Sequence, residues 1–256
     1  MSPIDRPPPA PQRNWAYFLD FDGTLVDIAD RPEGVRVKQE LVGLLSKVNQ
    51  ITDDAVVLVS GRPISDLDHH LKPLKLRASG LHGLEYRLDP NGPIIRCGLR
   101  AAALDAARSA LAAFARSHEG VQIEDKGRTI SVHFRRAPEY KAQAQRATDD
   151  ALSALGPEFV RLSGKMVFEL KPRNVHKGQV VDKFMNSPAF SKRLPVFVGD
   201  DVTDEDGFSA CNARGGVTVR VGKANMPTKA TFRLRDVEAV EDWLRSLVGL
   251  VNGSDL

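Results

Sequence analysis

Cysteine is almost missing: Cys97 and Cys211 are the only two, far apart and in no CxxC pair. That excludes a disulfide framework and a cysteine-held zinc site, and makes reduced thiols in the cytoplasm the expectation. Long apolar runs are missing too. No segment approaches the ~18 residues that a membrane-spanning helix needs, and the opening MSPIDRPPPAPQR lacks the apolar stretch of a secretory signal. Blocks of one charge are also absent. The net charge is +3 over 256 residues, with no basic run or aromatic-basic repeat, which argues against nucleic acid and membranes as partners. What remains is a globular mix of 42% hydrophobic and 27% charged residues. It is long enough for one large domain or a core with a smaller insert. The proline-rich stretch 1–13 reads as an extended, disordered tail. No oligomeric state follows from any of this; a monomer suffices.

From residue 14 onward apolar segments alternate with helical patterns. WAYFL (15–19) reads as a buried strand, and AVVLVSGR, LPVFVGDD and GVTVRVG repeat the continuous β-branched run of strands covered on both faces. Val37, Leu41, Leu44, Leu45 and Val48 recur at helical spacing and predict a helix over 34–50; Val240, Trp243, Leu244, Leu247 and Val251 predict a closing helix. Strand–helix alternation of this kind points to a doubly wound, mostly parallel α/β sheet. The texture changes between 98 and 172. An alanine-rich helix (99–117) and a second helix (138–156) accompany two strictly alternating segments, TISVHFR and KMVFELK. Alternation predicts an antiparallel sheet with one polar face. The expected organisation is therefore a core of 14–97 and 173–256, with an α+β insert over 98–172.

Four polar clusters fall where strands end or helices begin: DFDGT (20–24), SGR (60–62), HKG (176–178) and GDDVTDED (199–206). Ligands of open α/β sheets bind outside the carboxyl ends of the strands. Converging carboxylates would repel one another without a cation, and a hard divalent ion such as Mg²⁺ takes oxygen ligands; Asp20 and Asp200 are the natural ones. Lys177 and the Ser60 hydroxyl can neutralise and hydrogen-bond a phosphoryl group. One carboxylate of the Asp20/Asp22 pair can attack phosphorus while the other moves protons. Alternate residues of an extended chain share a side, so Phe21 can enter the core and leave both carboxylates at one mouth.

DFDGTLVDI, SGRP, HKG and GDDVTDED resemble, in order, the four motifs of the haloacid dehalogenase-like phosphatases. The resemblance implies a Rossmann-type core with an inserted cap. It makes Asp20 the nucleophile of an aspartyl-phosphate, Asp22 the general acid and base, and Ser60 and Lys177 the phosphoryl-holding groups. Gly61 and Arg62 would lie against the substrate. A Mg²⁺ site would comprise Asp20, the backbone carbonyl of Asp22, and Asp200, with Asp201 and Asp204 supporting it from behind. His176 departs from the pattern, which has Asp or Asn before KG.

The insert should select the phosphate ester, and its polar positions suit a hydroxyl-rich sugar. GLHGLEYR (80–87), EDK…HFR and GK…FELKP together resemble the trehalose-6-phosphate phosphatase family. That resemblance implies hydrolysis of trehalose 6-phosphate, with Glu124, Lys126, Lys165 and Glu169 gripping the distal glucose and His82, Gly83, His133 and Arg135 near the substrate. Alternatives stay open at this point. His133 and Arg135 could line a solvated sheet face, Glu124 and Lys126 could be an ordinary hairpin approach, Lys165 and Glu169 could be a surface pair, and His82 could be a structural turn residue. The substrate could be sucrose phosphate or a glycosylated phosphoglycerate, or the chain a non-catalytic sugar-phosphate sensor. A hinge between core and insert is expected near 96–99 and 171–174, at Gly98 and Pro172.

Overall fold

In chain order the elements are β1 (Trp15–Leu19), α1 (Gln39–Ile51), β2 (Val56–Val59), α2 (Ile64–His70), β3 (Arg77–Gly80), β4 (Glu85–Arg87) and β5 (Ile95–Arg96). There follow α3 (Asp105–Arg116), β6 (Gln122–Asp125), β7 (Ile130–His133), α4 (Lys141–Leu155), β8 (Phe159–Gly164) and β9 (Val167–Pro172). The chain closes with α5 (Lys177–Met185), β10 (Leu194–Gly199), α6 (Asp204–Asn212), β11 (Val217–Val221), β12 (Phe232–Leu234) and α7 (Val237–Asn252). The structure, a computed structural model, describes residues 6–29, 34–97, 104–223 and 227–252. Chain contacts divide it into a unit of 1–95 with 176–256 and a unit of 96–175, where the sequence suggests 98 and 172 as the borders.

The first unit is organised around β1, whose five residues are all buried. Successive side chains of a strand point to opposite faces. Trp15, Tyr17 and Leu19 accordingly join one core, with Leu44, Leu45 and Val48 of α1 and Val240, Leu244 and Leu247 of α7. Ala16 and Phe18 join a second, with Val181 and Phe184 of α5 and Phe208 of α6. Two apolar faces on one strand make a sheet with helices on both sides. Its strand order is β12-β11-β10-β1-β2-β3-β4-β5. The pairs from β12 through to β3 are parallel, and β3 with β4 is antiparallel. The chain runs outward from β1 through β2 and β3, then resumes on the other side at β10. The sheet therefore reverses direction of growth between β1 and β10, and the crevice at their carboxyl ends is where such folds bind ligands.

In the second unit β6-β7-β9-β8 form an antiparallel sheet. Ile130, Val132 and Phe134 pack with Phe168, Leu170 and Leu111 of α3 in its core. The alternation expected of 129–135 is the reason: its apolar face meets the helices.

Three expectations change. The helix predicted over 34–50 begins at Gln39, because Val35 and Val37 alternate along an extended approach and helical spacing starts with Leu41. The strand predicted from Lys165 begins at Val167; Lys165 and Met166 make the turn from β8, with Met166 at φ 64. The supposedly disordered tail is pinned from residue 6 on. Trp243 Nε1 donates to Pro9 O at 2.9 Å, Tyr17 Oη to Gln12 O at 2.8 Å, and Arg233 N to Arg6 O at 3.1 Å. Proline has no N–H to satisfy, so an extended proline-rich strand needs only donors for its carbonyls, and the core supplies them. Residues 1–5 and the proposed hinge glycine, Gly98, lie outside the described residues; Pro172 is the last residue of β9. No described helix is long and apolar enough to cross a membrane.

Candidate active site

Asp20 leaves the end of β1, its N–H bonded to Val198 O of β10 at 3.0 Å. Phe21 turns inward and is fully buried, as the two-residue spacing predicts. Its carbonyl accepts from Leu25 N at 2.9 Å and Val26 N at 3.1 Å, closing a tight turn. Gly23 is obligatory in that turn. Its φ is +83, and a Cβ there would collide with the Asp200 carboxylate, which comes off the end of β10.

Asp20, Asp200 and Asp204 are all buried and can present one oxygen each within 4.8 Å of one another. The Lys177 ammonium donates to Asp20 Oδ1 and to Asp204 Oδ1, both at 2.7 Å. Thr24 Oγ1 donates to the other Asp20 oxygen at 3.1 Å. The second Asp204 oxygen accepts from Asp201 N at 2.9 Å. The sequence reading put Asp204 in support of the site; the first turn of α6 brings it into the acidic group, over Gly199, where a Cβ would strike it.

Burial, the largest influence, raises the Asp20 pKa well above the usual carboxylate range; Lys177 lowers it, and Asp204 and Asp200 raise it further. Burial pulls the other way on Lys177, but Asp20 and Asp204 outweigh it, so the lysine is held protonated. With all three ionised, the carboxylates would exceed the one ammonium by two negative charges, the repulsion that raises Asp20 further. Oxygen ligands, tight spacing and that excess fit a hard divalent cation.

Asp22 faces elsewhere. Arg62 Nε donates to its Oδ2 at 2.7 Å and Nη2 to its Oδ1 at 2.9 Å, while Nη1 reaches Asp66 Oδ2 at 2.9 Å. Burial works against the Arg62 charge, and Asp22 with Asp66 more than offsets it, raising its pKa. Where the sequence placed Arg62 against substrate, its guanidinium is engaged by the expected proton carrier. Ser60 is buried, and its Oγ accepts from Arg62 N at 3.1 Å. His82 packs its ring against Gly61, and Gly83, at φ 117, ends that turn.

In the second unit, pairing across β6, β7 and β9 lines up Glu124, Ser131 and Glu169. Lys126 Nζ lies 3.6 Å from both glutamates, and His133 Nε2 lies 2.9 Å from Glu124 Oε2. These four form one group rather than separate surface pairs. Arg135 and Lys165 meet differently, through Arg135 Nη2 and the Lys165 carbonyl at 3.1 Å, and Lys165 is exposed in its turn.

Sequence reasoning passed over Thr24 and Arg220. Thr24 sits inside the quoted DFDGT, which was the available signal. Arg220 of β11 donates to Asp201 O at 3.0 Å and Glu205 Oε1 at 3.1 Å, pinning the loop after β10; nothing local marks it.

The family model described as trehalose-phosphatase matches residues 18–238. The chain belongs to the trehalose-phosphatase family. It is 35% identical over 91% of its length to a "probable trehalose-phosphate phosphatase" of Sinorhizobium fredii, covering 88% of that protein. To the "trehalose-6-phosphate phosphatase" of Escherichia coli it is 34% identical over 91% of its length and 86% of the relative. The C-terminal domain of C. albicans trehalose-6-phosphate phosphatase superposes with a TM-score of 0.84 at 22% identity, over 95% of this chain and 99% of that one. Its fold is shared with haloacid dehalogenase-like hydrolases. Members of the trehalose-phosphatase family are phosphoric monoester hydrolases, and this chain is one by membership.

Proposed function

We propose that the chain is a Mg²⁺-dependent cytoplasmic enzyme that hydrolyses trehalose 6-phosphate to trehalose and phosphate through an aspartyl-phosphate. The observation that carries it is the buried group of Asp20, Asp200, Asp204 and Lys177 at the β1/β10 crevice, with Asp22 two residues beyond Asp20. Family membership and the names of the relatives support the substrate. The two free thiols, Cys97 and Cys211, suit a reducing compartment.

An Asp20 oxygen forms a bond to phosphorus as the bond from phosphorus to the sugar oxygen breaks. Asp22 gives that leaving oxygen a proton. Asp22 then takes a proton from a water that bonds to phosphorus, and the Asp20 carboxylate departs. Proton transfer of this kind is worth ~10²–10⁴-fold. Ser60 and Lys177 hold the phosphoryl oxygens, and Lys177 and Thr24 fix the attacking carboxylate. Asp20, Asp200 and the Asp22 backbone carbonyl, with Asp204 and Asp201 around them, would hold a Mg²⁺, which would supply the positive charge that phosphoryl transfer requires. Arg62 aligns Asp22 between turnovers, so proton donation requires the Asp22 carboxyl to exchange the guanidinium for the leaving oxygen. Glu124, Lys126 and Glu169 supply paired donors and acceptors for the distal glucose, with His133 bracing Glu124 and with Arg135 and Lys165 at the rim.

Phosphate release from trehalose 6-phosphate, glucose 6-phosphate and sucrose 6-phosphate, with and without Mg²⁺, tests the reading. Preference for trehalose 6-phosphate, lost on chelation, supports it. Equal turnover of the monosaccharide ester sinks the substrate, and no release from any ester leaves a sensor.

A further inference from the structure

Residues 80–85, GLHGLE, supply no group to the reaction as derived above, yet they wrap the SGRPI turn closely. Leu81 (φ 51) and His82 (φ 57) are consecutive non-glycine residues in the left-handed region. Ordinary side chains avoid that region, and it persists only where the surroundings enforce it. Here the surroundings are the phosphate-side turn itself. His82 N donates to Ser60 O at 3.0 Å, Leu81 N to Arg62 O at 3.1 Å, and Ser60 N to Ser79 O at 3.0 Å. Buried Glu85 completes the wrap: its Oε1 accepts from Ile64 N at 2.6 Å. Gly80 leaves no slack, since a Cβ there would lie 2.7 Å from Arg62 O and 2.9 Å from Glu85 Oε1.

Gly61 gives the sharpest indication. It is not among the glycines of positive φ, so its backbone would accept alanine. A Cβ on it would nevertheless fall 2.8 Å from both Cε1 and Nε2 of the buried His82 ring. The imidazole, not the backbone angle, demands glycine at 61. A turn needed only to reverse the chain would be better served by Gly or Asn at 81 and 82. Leu and His there keep the strain and place a ring against the Ser60–Gly61 peptide.

We infer that 80–85 is a template for the phosphoryl-holding turn 60–62, and that His82 is a positioning residue that fixes Gly61, and through it Ser60, without touching substrate. This rests on the reading of Ser60 and Gly61 given above.

Two readouts independent of the sugar test it: kcat and KM with p-nitrophenyl phosphate, and calorimetric binding of inorganic phosphate, both in Mg²⁺, with thermal unfolding alongside. His82→Asn keeps a left-handed backbone and removes the ring; it should weaken phosphate binding and kcat/KM about tenfold with an unchanged melting temperature. Gly61→Ala alone should cost about a hundredfold, and far less in a His82→Gly background, where the ring's space is vacant. Equal cost in both backgrounds, or a silent His82→Asn, overturns the inference. A chain that turns over the aryl phosphate and rejects trehalose 6-phosphate overturns the substrate reading and leaves this inference standing. One that neither cleaves the aryl phosphate nor binds inorganic phosphate overturns both.

Discussion

Each unit sets a lysine between two carboxylates, and the two arrangements differ in tightness. Lys177 lies 2.7 Å from Asp20 and Asp204, whose side chains are 7% and 0% exposed. Lys126 lies 3.6 Å from Glu124 and Glu169, at 26% and 8% exposure. Contacts of 2.7 Å are charge-assisted hydrogen bonds, and they fix geometry. Contacts of 3.6 Å are ion pairs beyond hydrogen-bond distance, and they fix geometry less. On the function proposed above, the first group would hold the reacting atoms and the second would meet the sugar.

That contrast is best broken at its tight end. On the proposed mechanism, Asp20→Asn should reduce phosphate release by at least ~10⁴-fold, since an amide replaces the attacking carboxylate; single-turnover kinetics with trehalose 6-phosphate measure it. Asp22→Asn should lower turnover by ~10²–10⁴-fold and leave substrate affinity nearly intact, because the lost role is proton transfer. Strong loss of affinity with normal turnover of bound substrate would reassign Asp22. Lys177→Met leaves carboxylates buried without their cation, and denaturant titration in chelator should show a loss of about 3–5 kcal/mol, partly restored by Mg²⁺.

At the loose end, Lys126→Ala or Glu169→Gln should raise KM for trehalose 6-phosphate by about 10–100-fold while p-nitrophenyl phosphate is cleaved as before. A fall in both substrates would erase the division of labour. The smallest effect expected is on pH. Burial tends to raise Glu124, but the His133 hydrogen bond and Lys126 outweigh it, so its folded pKa lies below the ordinary 4.5. A depressed carboxylate stabilises the fold above its unfolded pKa, and that stabilisation is lost as pH falls through the folded value. Stability should therefore decline below about pH 4.5, and Glu124→Gln should flatten that decline in acid titrations followed by circular dichroism.

The same contrast separates what was legible in the sequence from what was not. The tight group was readable because strand, turn glycine and carboxylate are consecutive in DFDGT and again in VGDD. Phe21 entered the core as its spacing required, and the apolar alternation of 130–134 found its helices. Strands such as RASG (β3) and QIED (β6) went unseen, because neighbours rather than composition make them strands. Asp204 was read as a support, and its closeness to Asp20 and Asp200 was not legible, since a short helix folding it over Gly199 leaves no local trace. Arg62 and Arg220 find their partners 40 and 19 residues away, beyond any periodicity. The proline-rich start was read from composition as loose, while the donors that pin it come from Trp243, Tyr17 and Arg233.

That pinned start has an outcome for handling the protein. Arg6 offers its carbonyl to Arg233 on β12, one of the two edge strands of the sheet, and its guanidinium stands 4.6 Å over Phe232. An uncovered outer strand invites a second molecule to zip onto it. Trimming the first ten residues should therefore cost solubility on storage before it costs any turnover.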